Sequence, residues 1–169
     1  QGLEVLMAAF ESIRRDFPGV RLWLVGDGPS AASLREEAAR RGWGRDIRFS
    51  GWVPHEELVW HYNAFDVCVA PFTGIDRSPL KVAEAMACGR PVVVSRYDSE
   101  LAELLQRESA GWLVSPGDRE GLARALGEAL GHPEEAQARG RRARQAALGH
   151  LGWDRCATQV ERLYLEKDE

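Results

Sequence analysis

Two charged residues in one short segment of the sequence could bind an anionic ligand. The segment reads DRSPLKVAEAMACGRPVVVS from residue 76 to residue 95. Ser78 and Pro79 are typical of a helix start, and Gly89 is typical of a helix end. Lys81 then falls in the first turn, where the helix dipole disfavours a cation by about 0.3–1 kcal/mol. An anion bound at this end of the helix would remove that penalty.

A diphosphate is the anion that this helix start suits best. The backbone N–H groups of Leu80 and Lys81 have no acceptor within the helix, so they can face a bound phosphate. The chain contains only two lysines, Lys81 and Lys167, so a lysine here is not a feature of the overall composition. The alternative is a lysine that is merely exposed in the first turn.

Glu84 follows Lys81 by three residues and therefore lies on the same face of the predicted helix. Small apolar side chains surround it, at Val82, Ala83, Ala85 and Ala87. A carboxylate one turn below a phosphate site is well placed to accept hydrogen bonds from two vicinal hydroxyls. Phosphate and ribose contacts together indicate a nucleotide. The alternative is an exposed ion pair between Lys81 and Glu84.

Two glycine loops that each join a strand to a helix could lie beside the same ligand. The segment VGDGPSA carries Gly26 and Gly28 in a G-x-G-x-x-A pattern, which also occurs in NAD- and FAD-binding folds. That interpretation is disfavoured, because the acidic residue about 20 positions later, Asp46, opens the next strand rather than ending it. A glycine turn beside another ligand and a purely structural turn remain open.

The second loop, SGWVPHEEL, contains Gly51, Trp52 and Val53, which we assign to ligand binding. Its glycine permits close approach of the backbone to a planar group. A structural turn is the alternative. His55 is interpreted as a surface residue at a helix start rather than as a catalyst.

Composition restricts the class of protein. The chain has 169 residues, of which 44% are hydrophobic and 28% charged, as in a globular domain. Its net charge of −4 argues against nucleic-acid binding. The three cysteines show no metal spacing and are predicted to be buried thiols in a reducing cytosol. The sequence contains no apolar run long enough to span a membrane. It also contains no Asp-x-Asp metal motif, and we expect neither a metal nor a cofactor.

Short apolar strands alternate with amphipathic helices, which predicts an α/β fold with a doubly wound, Rossmann-like parallel sheet. The predicted strands cover residues 21–26, 46–51, 66–71, 91–95 and 111–115. The predicted helices cover residues 3–17, 30–43, 56–64, 79–88, 99–107, 119–131, 133–148 and 153–166. We expect the strands at 21–26 and 91–95 to be central. The basic run RGRRAR at 139–144 is interpreted as a solvated face, with anionic lipid as the alternative.

The order and spacing of these segments resemble the carboxyl-terminal half of a GT-B glycosyltransferase, similar to family 4 of the retaining, nucleotide-sugar-dependent enzymes. The resemblance runs from GLEVLMAAF through LVGDGP, FSGWVPHEEL, DVCVAPF and SPLKVAEAMACGRPVVVS to GWLVSPGDREGLARAL. It implies one domain over residues 1–169 that lacks its usual first strand. It also implies that the chain is a fragment, and that the helix near 153–166 crosses back to an absent amino-terminal domain.

The same resemblance implies roles for individual residues. The family has two glutamates separated by seven residues. Glu84 matches the second, which binds the donor ribose, and Asp76 stands where the first lies near the transferred sugar. The usual intervening glycines are replaced by SPLK, a variant in which Lys81 and the amides at the helix start would hold the diphosphate. Ser78, Pro79 and Leu80, which form this helix start, are assigned to donor binding with it. Lys81 and Asp76 are thus the candidate catalytic residues.

The implied function is binding of a nucleoside-diphosphate sugar, with UDP, GDP or ADP as the nucleotide, and transfer of the sugar with retention. The acceptor would be held by the amino-terminal domain of the same protein. The implied location is cytoplasmic, with possible peripheral contact to a membrane. A non-catalytic nucleotide-sugar-binding module and a GT-B sugar-nucleotide epimerase are the alternatives, together with the NAD-binding domain considered above.

Overall fold

The computed structural model describes residues 2–73, 80–97 and 99–165 of the chain. The strands in these ranges are β1 (Leu22–Val25), β2 (Ile47–Gly51), β3 (Cys68–Ala70), β4 (Val92–Ser95) and β5 (Trp112–Val114). The helices are α1 (Leu3–Asp16), α2 (Ala31–Arg40), α3 (Leu58–Ala64), α4 (Leu80–Ala87), α5 (Glu100–Arg107), α6 (Arg119–Gly131), α7 (Pro133–His150) and α8 (Trp153–Leu165). A short 3-10 helix, His55–Glu57, precedes α3.

The strands form two parallel sheets, which confirms the predicted α/β class. One sheet pairs β1 with β2, and the other has the order β3-β4-β5. Strand β4 is central and fully buried, as predicted. The prediction that β1 is central is wrong for the described residues, because β1 pairs with β2 alone and its residues are only half-buried.

The two sheets fit the strand order of a doubly wound fold. The doubly wound fold has six strands in the spatial order 3-2-1-4-5-6. The two-stranded sheet of this chain, β2-β1, takes the first two places in that order. The three-stranded sheet, β3-β4-β5, takes the last three places. A cleft lies between β1 and β3, where strand 1 of that order would run. This cleft explains why β1 keeps accessible surface although its residues are apolar.

Helix α1 packs against both sheets. Leu6, Ala9 and Ile13 belong to the apolar cluster that contains β4, β5 and α6, and they also pack near β1. Met7 and Phe10, on an adjacent part of the same helix, belong to the cluster that contains α2 and Trp43. One amphipathic helix therefore connects the two sheets through hydrophobic contacts.

Helices α4, α5 and α7 cover the other side of the three-stranded sheet. Their buried side chains join those of β3 and β4 in a single cluster that includes Val82, Met86, Leu105 and Ala143. The predicted boundaries of α5 are confirmed by its cap, because the Ser99 hydroxyl accepts a hydrogen bond from the N–H of Ala102. Gly89 ends α4 with a φ of 70°, a left-handed conformation that favours glycine.

The arginines of the basic run at 139–144 keep solvent-exposed surface, as predicted, and three of them also donate to backbone carbonyl groups. Arg139 donates to the carbonyl oxygen of Gly111 at 2.8 Å, and Arg142 donates to that of Ser109 at 3.0 Å. Arg144 donates to the carbonyl oxygen of Ala87 at the end of α4. Carbonyl groups near a helix end lack a donor within the helix, and two of these arginines supply one near the ends of α4 and α5. Together the three arginines connect α7 to neighbouring segments.

Close packing of α7 gives the first testable prediction. A side chain on Gly140 would collide with the backbone carbonyl of Gly89, whereas a side chain on Gly149 in the same helix meets open space. Gly140→Ala should lower the free energy of unfolding by about 1–3 kcal/mol, as overpacking does. Gly149→Ala should leave it unchanged or raise it by up to ~1 kcal/mol. Urea denaturation of both variants measures the difference, and equal stabilities would contradict this packing.

The second prediction concerns the Cys68 thiol in β3. Burial raises the pKa of Cys68 from its ordinary value of 9.0 to about 12, so the unfolded chain loses this proton at lower pH than the folded chain. The contribution of this thiol to the free energy of unfolding is therefore fully present below pH 9. It falls as the pH rises toward 12, by at most about 1.4 kcal/mol per pH unit.

Cys68→Ala should accordingly reduce the slope of unfolding free energy against pH between 9 and 12. Cys156→Ala is the matched control. The prediction of a buried thiol is wrong for Cys156, which is exposed on the amphipathic helix α8. Denaturant titrations at several alkaline pH values give the slopes, and an identical slope for the two variants would show that the thiol is not buried as described.

Candidate functional site

The cleft between β1 and β3 has a volume of about 1260 Å³. This exceeds the range of about 300–1,000 Å³ that is usual for small-molecule sites, because the cleft includes the space where strand 1 of the doubly wound order would run. Its walls are formed by β1 and β3, and α1 and α6 contribute Leu6, Ile13 and Leu126. The residues that follow β1, β2 and β3 line the same cleft, as do residues of α3 and α4. The cleft therefore joins an apolar interior to polar residues that follow the strands.

Most of the predicted ligand-binding residues are brought together here. Those that line the cleft are Gly26, Gly28, Trp52, Val53, Lys81 and Glu84. Gly51 contacts the cleft edge through Gly26, and Leu80, at the start of α4, is 60% exposed outside the lining. Asp76, Ser78 and Pro79 lie outside the described residues. The structure thus unites two glycine loops with the first turn of α4.

The two glycine loops are hydrogen-bonded to each other. The N–H of Gly26 donates to the carbonyl oxygen of Gly51 at 2.9 Å. Both residues have a positive backbone φ angle, 114° for Gly26 and 71° for Gly51, which residues other than glycine rarely adopt. Trp52 follows directly and is 75% exposed. The loops therefore present backbone and an accessible indole at the same part of the cleft.

Lys81 is half-buried in the first turn of α4, as the sequence predicted for the helix. Its ammonium group lies 4.4 Å from the centre of the Phe72 ring, and Phe72 is itself buried. A cation over an aromatic face is electrostatically favourable. Lys81 itself lines the cleft, and the ring on which its ammonium group lies is outside that lining.

Glu84 lies one turn further along α4 and has two polar neighbours that the sequence did not reveal. The Tyr62 hydroxyl donates to Glu84 Oε2 at 2.8 Å. His55 Nε2 lies 3.8 Å from Glu84 Oε1. His55 is exposed, as predicted, but the interpretation as a simple surface residue missed this contact. A carboxylate in an apolar run needs a partner, but the sequence could not locate one 22 residues away.

Helix α3 is fixed at the cleft on both sides. Trp23 of β1 packs against His61 of α3 and against Phe65, which directly follows α3, with ring centres 5.1 and 5.5 Å apart. Beyond α4, the Arg90 guanidinium donates to the carbonyl oxygen of Phe65 and to the Asn63 side chain, both at 3.3 Å. Tyr62 is thereby held by a helix that contacts both sheets.

Asp46 forms ion pairs with two arginines and is not available to bind a ribose, as expected if the first glycine loop does not bind NAD. Its carboxylate pairs with Arg14 at 2.5 Å and with Arg21 at 3.3 Å, before β2 begins. At the other end of β2, Ser50 accepts a hydrogen bond from the Trp23 indole. The described residues of β2 include no carboxylate, whereas a dinucleotide ribose would need one at the end of this strand.

Within the described ranges, no group of three His, Cys, Asp or Glu side chains is arranged to hold a metal ion. None of the helices in the same ranges combines the length and apolar character needed to cross a bilayer.

Comparison with known proteins places this geometry in a family. The family model described as "Glycosyl transferases group 1" matches residues 1–132. The chain is 32% identical over 165 residues to a glycogen synthase of Mycobacterium tuberculosis (strain CDC 1551 / Oshkosh), covering 98% of this chain and 39% of that protein. It is 31% identical over 159 residues to the GDP-mannose-dependent alpha-(1-6)-phosphatidylinositol monomannoside mannosyltransferase of Mycolicibacterium smegmatis, covering 90% and 41%.

The fold is also that of a solved structure, Anabaena Alr3699/HepE in complex with UDP-glucose. The TM-score is 0.86 at 22% sequence identity, covering 98% of this chain and 45% of that one. The chain spans about two-fifths of the length of the two relatives. The model match over most of the chain, together with identities above 30%, establishes its descent: the chain belongs to the group 1 glycosyl transferases.

Proposed function

We propose that the chain is the donor-binding part of a glycosyltransferase, which binds a nucleoside-diphosphate sugar for transfer to an acceptor. The observation that carries this proposal is the presence of Lys81 and Glu84, one helical turn apart on α4, in the lining of a single cleft. We infer the reaction class from family membership and the class of ligand from the residues that line the cleft. A cation and a carboxylate at this spacing suit a diphosphate and a ribose diol.

Lys81 is the candidate for the diphosphate. Its contact with Phe72 keeps the ammonium group near the amino terminus of α4, where the N–H groups of the first turn lack helical acceptors. Together they would neutralise the charge that develops on the diphosphate as it leaves the sugar, which is electrostatic catalysis. We extend this binding group to Ser78, Pro79 and Leu80, by the resemblance described above.

Glu84 is the candidate for the ribose. Its side chain keeps 30% of its surface exposed at the cleft, so a ligand can reach the carboxylate. The glycine loops are the candidates for the base and the adjoining phosphate, because Gly26, Gly28 and Gly51 leave the backbone open. Trp52 and Val53 line the same region and offer apolar surface to a planar base.

The transferred sugar would lie near Asp76, and transfer would proceed with retention and without a metal, as the family resemblance implies. The named relatives differ in donor: one uses GDP-mannose, and the Anabaena structure holds UDP-glucose. The base and sugar for this chain are therefore open. A thermal-shift screen against UDP, GDP and ADP identifies the base, since a ligand at ~100 times its dissociation constant stabilises by about 2.7 kcal/mol.

An acceptor-binding domain would complete the cleft in the whole protein. Helix α8 supports this arrangement, because Trp153, Val160 and Tyr164 are all more than half exposed. Apolar side chains on one amphipathic helix are usually covered by another surface. We propose that α8 packs against the amino-terminal domain of the same protein.

Substitution of the two central residues tests the donor site. Lys81→Ala removes one charge-assisted contact of about 1.5–3 kcal/mol, so it should weaken nucleoside diphosphate binding by roughly tenfold to a hundredfold. It should hardly affect a nucleoside without phosphates. Glu84→Gln should weaken both ligands, because the anionic acceptor for the ribose is lost. Isothermal titration calorimetry with a nucleoside and its diphosphate measures both effects.

Glu103→Gln is the matched control for this titration, because Glu103 is an exposed carboxylate in the first turn of α5. It should bind both ligands as the unmodified chain does. If Lys81 and Glu84 form only a surface pair, each change shifts stability by a few tenths of a kcal/mol and affinity stays constant. Unchanged diphosphate affinity in both variants would end the donor-site assignment.

The isolated chain should bind a nucleoside diphosphate weakly and transfer no sugar. Positioning of donor and acceptor together accounts for much of an enzyme's rate, and this chain holds only the donor side of the proposed cleft. A radiolabelled-sugar transfer assay on this chain alone, with the full-length protein as positive control, measures the activity. Measurable transfer by the chain alone would overturn this division of roles.

A further inference from the structure

Tyr62 makes the shortest polar contact described for Glu84. Its hydroxyl donates to Oε2 at 2.8 Å, and the pair is partly buried. Burial, and then the hydrogen bond to Glu84, raise the pKa of Tyr62 above its ordinary value. The phenol therefore stays protonated throughout the neutral range, and the bond has a fixed direction, from hydroxyl to carboxylate.

The two carboxylate oxygens of Glu84 consequently have different environments. Oε2 accepts the Tyr62 hydrogen bond, while Oε1 faces the exposed His55 imidazole at 3.8 Å. The glutamate side chain is 30% exposed and lines the cleft. One oxygen is thus fixed by the protein, and the carboxylate still has surface that a ligand can reach.

The phenol itself has little freedom to move. Tyr62 packs against the cluster that contains Val82 and Met86 of α4. Its helix, α3, is fixed by the Trp23 contacts on one side and by Arg90 on the other, as described above. The hydroxyl is therefore a rigid donor that selects one orientation of an otherwise flexible glutamate.

We propose that Tyr62 is a positioning residue that orients Glu84 for the vicinal hydroxyls of the donor ribose. This inference rests on the proposed function, because Glu84 is the ribose acceptor there. A glutamate side chain that is already ordered loses less conformational freedom when a ligand binds. Removal of the Tyr62 hydroxyl should therefore weaken binding only of ligands that carry the ribose hydroxyls.

The experiment compares Tyr62→Phe with the unmodified chain for two kinds of ligand. UDP, GDP and ADP are titrated by calorimetry, and the one that binds is compared with its 2′,3′-dideoxy counterpart. Tyr62→Phe should weaken binding of the ribonucleotide by about threefold to tenfold and leave binding of the dideoxynucleotide unchanged. Tyr164→Phe, on the exposed helix α8, is the matched control and should change neither affinity.

A double-mutant cycle separates positioning from a direct or general effect. In a Glu84→Ala background, Tyr62→Phe should have no further effect on the ribonucleotide, because Tyr62 acts through the carboxylate. Replacement of Tyr62 by 4-aminophenylalanine, which keeps a donor at the same place, should restore the preference for ribose. If Tyr62→Phe does not fold, the 4-aminophenylalanine variant and a Tyr62→Met variant supply the same comparison of donor with no donor.

The outcomes distinguish this inference from the proposed function. If none of the three nucleotides binds, or if Glu84→Ala has no effect, the donor site is wrong and the role of Tyr62 is wrong with it. If Glu84→Ala abolishes the preference for ribose but Tyr62→Phe preserves it, the donor site stands and the positioning role is overturned. Equal weakening of the ribo- and dideoxynucleotide by Tyr62→Phe would overturn it as well.

Discussion

The packing of α1 against both sheets is the constraint on which the described structure depends. Among the described residues, β1–β2 and β3–β4–β5 share no strand pair, so no backbone ladder joins the two sheets there. Leu6 and Ile13 pack toward the larger sheet and α6, while Phe10 packs toward α2 and Trp43. Each large apolar side chain that is buried contributes about 1.5–3 kcal/mol to the free energy of folding. The buried side chains of α1 can therefore hold the two sheets together. The cleft lies between the two sheets, where strand 1 of the doubly wound order would run.

The site follows from that arrangement. Residues that follow parallel strands meet at one edge of a doubly wound fold, which is where such folds bind ligands. Gly26 and Gly51 bring two of these segments into hydrogen-bond contact, and α4 brings Lys81 and Glu84 to the same cleft. α3 then connects the two sheets a second time, through Trp23 on one side and Tyr62 on the other. A polar contact at Glu84 thus depends on a hydrophobic contact at β1.

The sequence predicted the parts of this structure that are encoded locally. Apolar strands, the helix that follows residue 99 and the glycine that ends α4 depend on a few neighbouring residues, and all were found. The separation of the sheets was not predicted, because pairing of β1 depends on what lies beside it rather than on its own apolar residues. Likewise, Lys81 and Glu84 could be proposed from helix chemistry, whereas Tyr62 and His55 come from distant segments that only the tertiary fold brings to Glu84.

The central claim is that the first turn of α4 and the two glycine loops form one nucleotide site. Two-dimensional NMR of the isotopically labelled chain, with UDP, GDP and ADP added in turn, tests it most directly. For the nucleotide that binds, the account predicts that the largest amide shifts occur at Lys81, Glu84, Gly26 and Gly51, with little change in α7. The largest shifts in α7 or α8, with α4 and the glycine loops unaffected, would contradict the account.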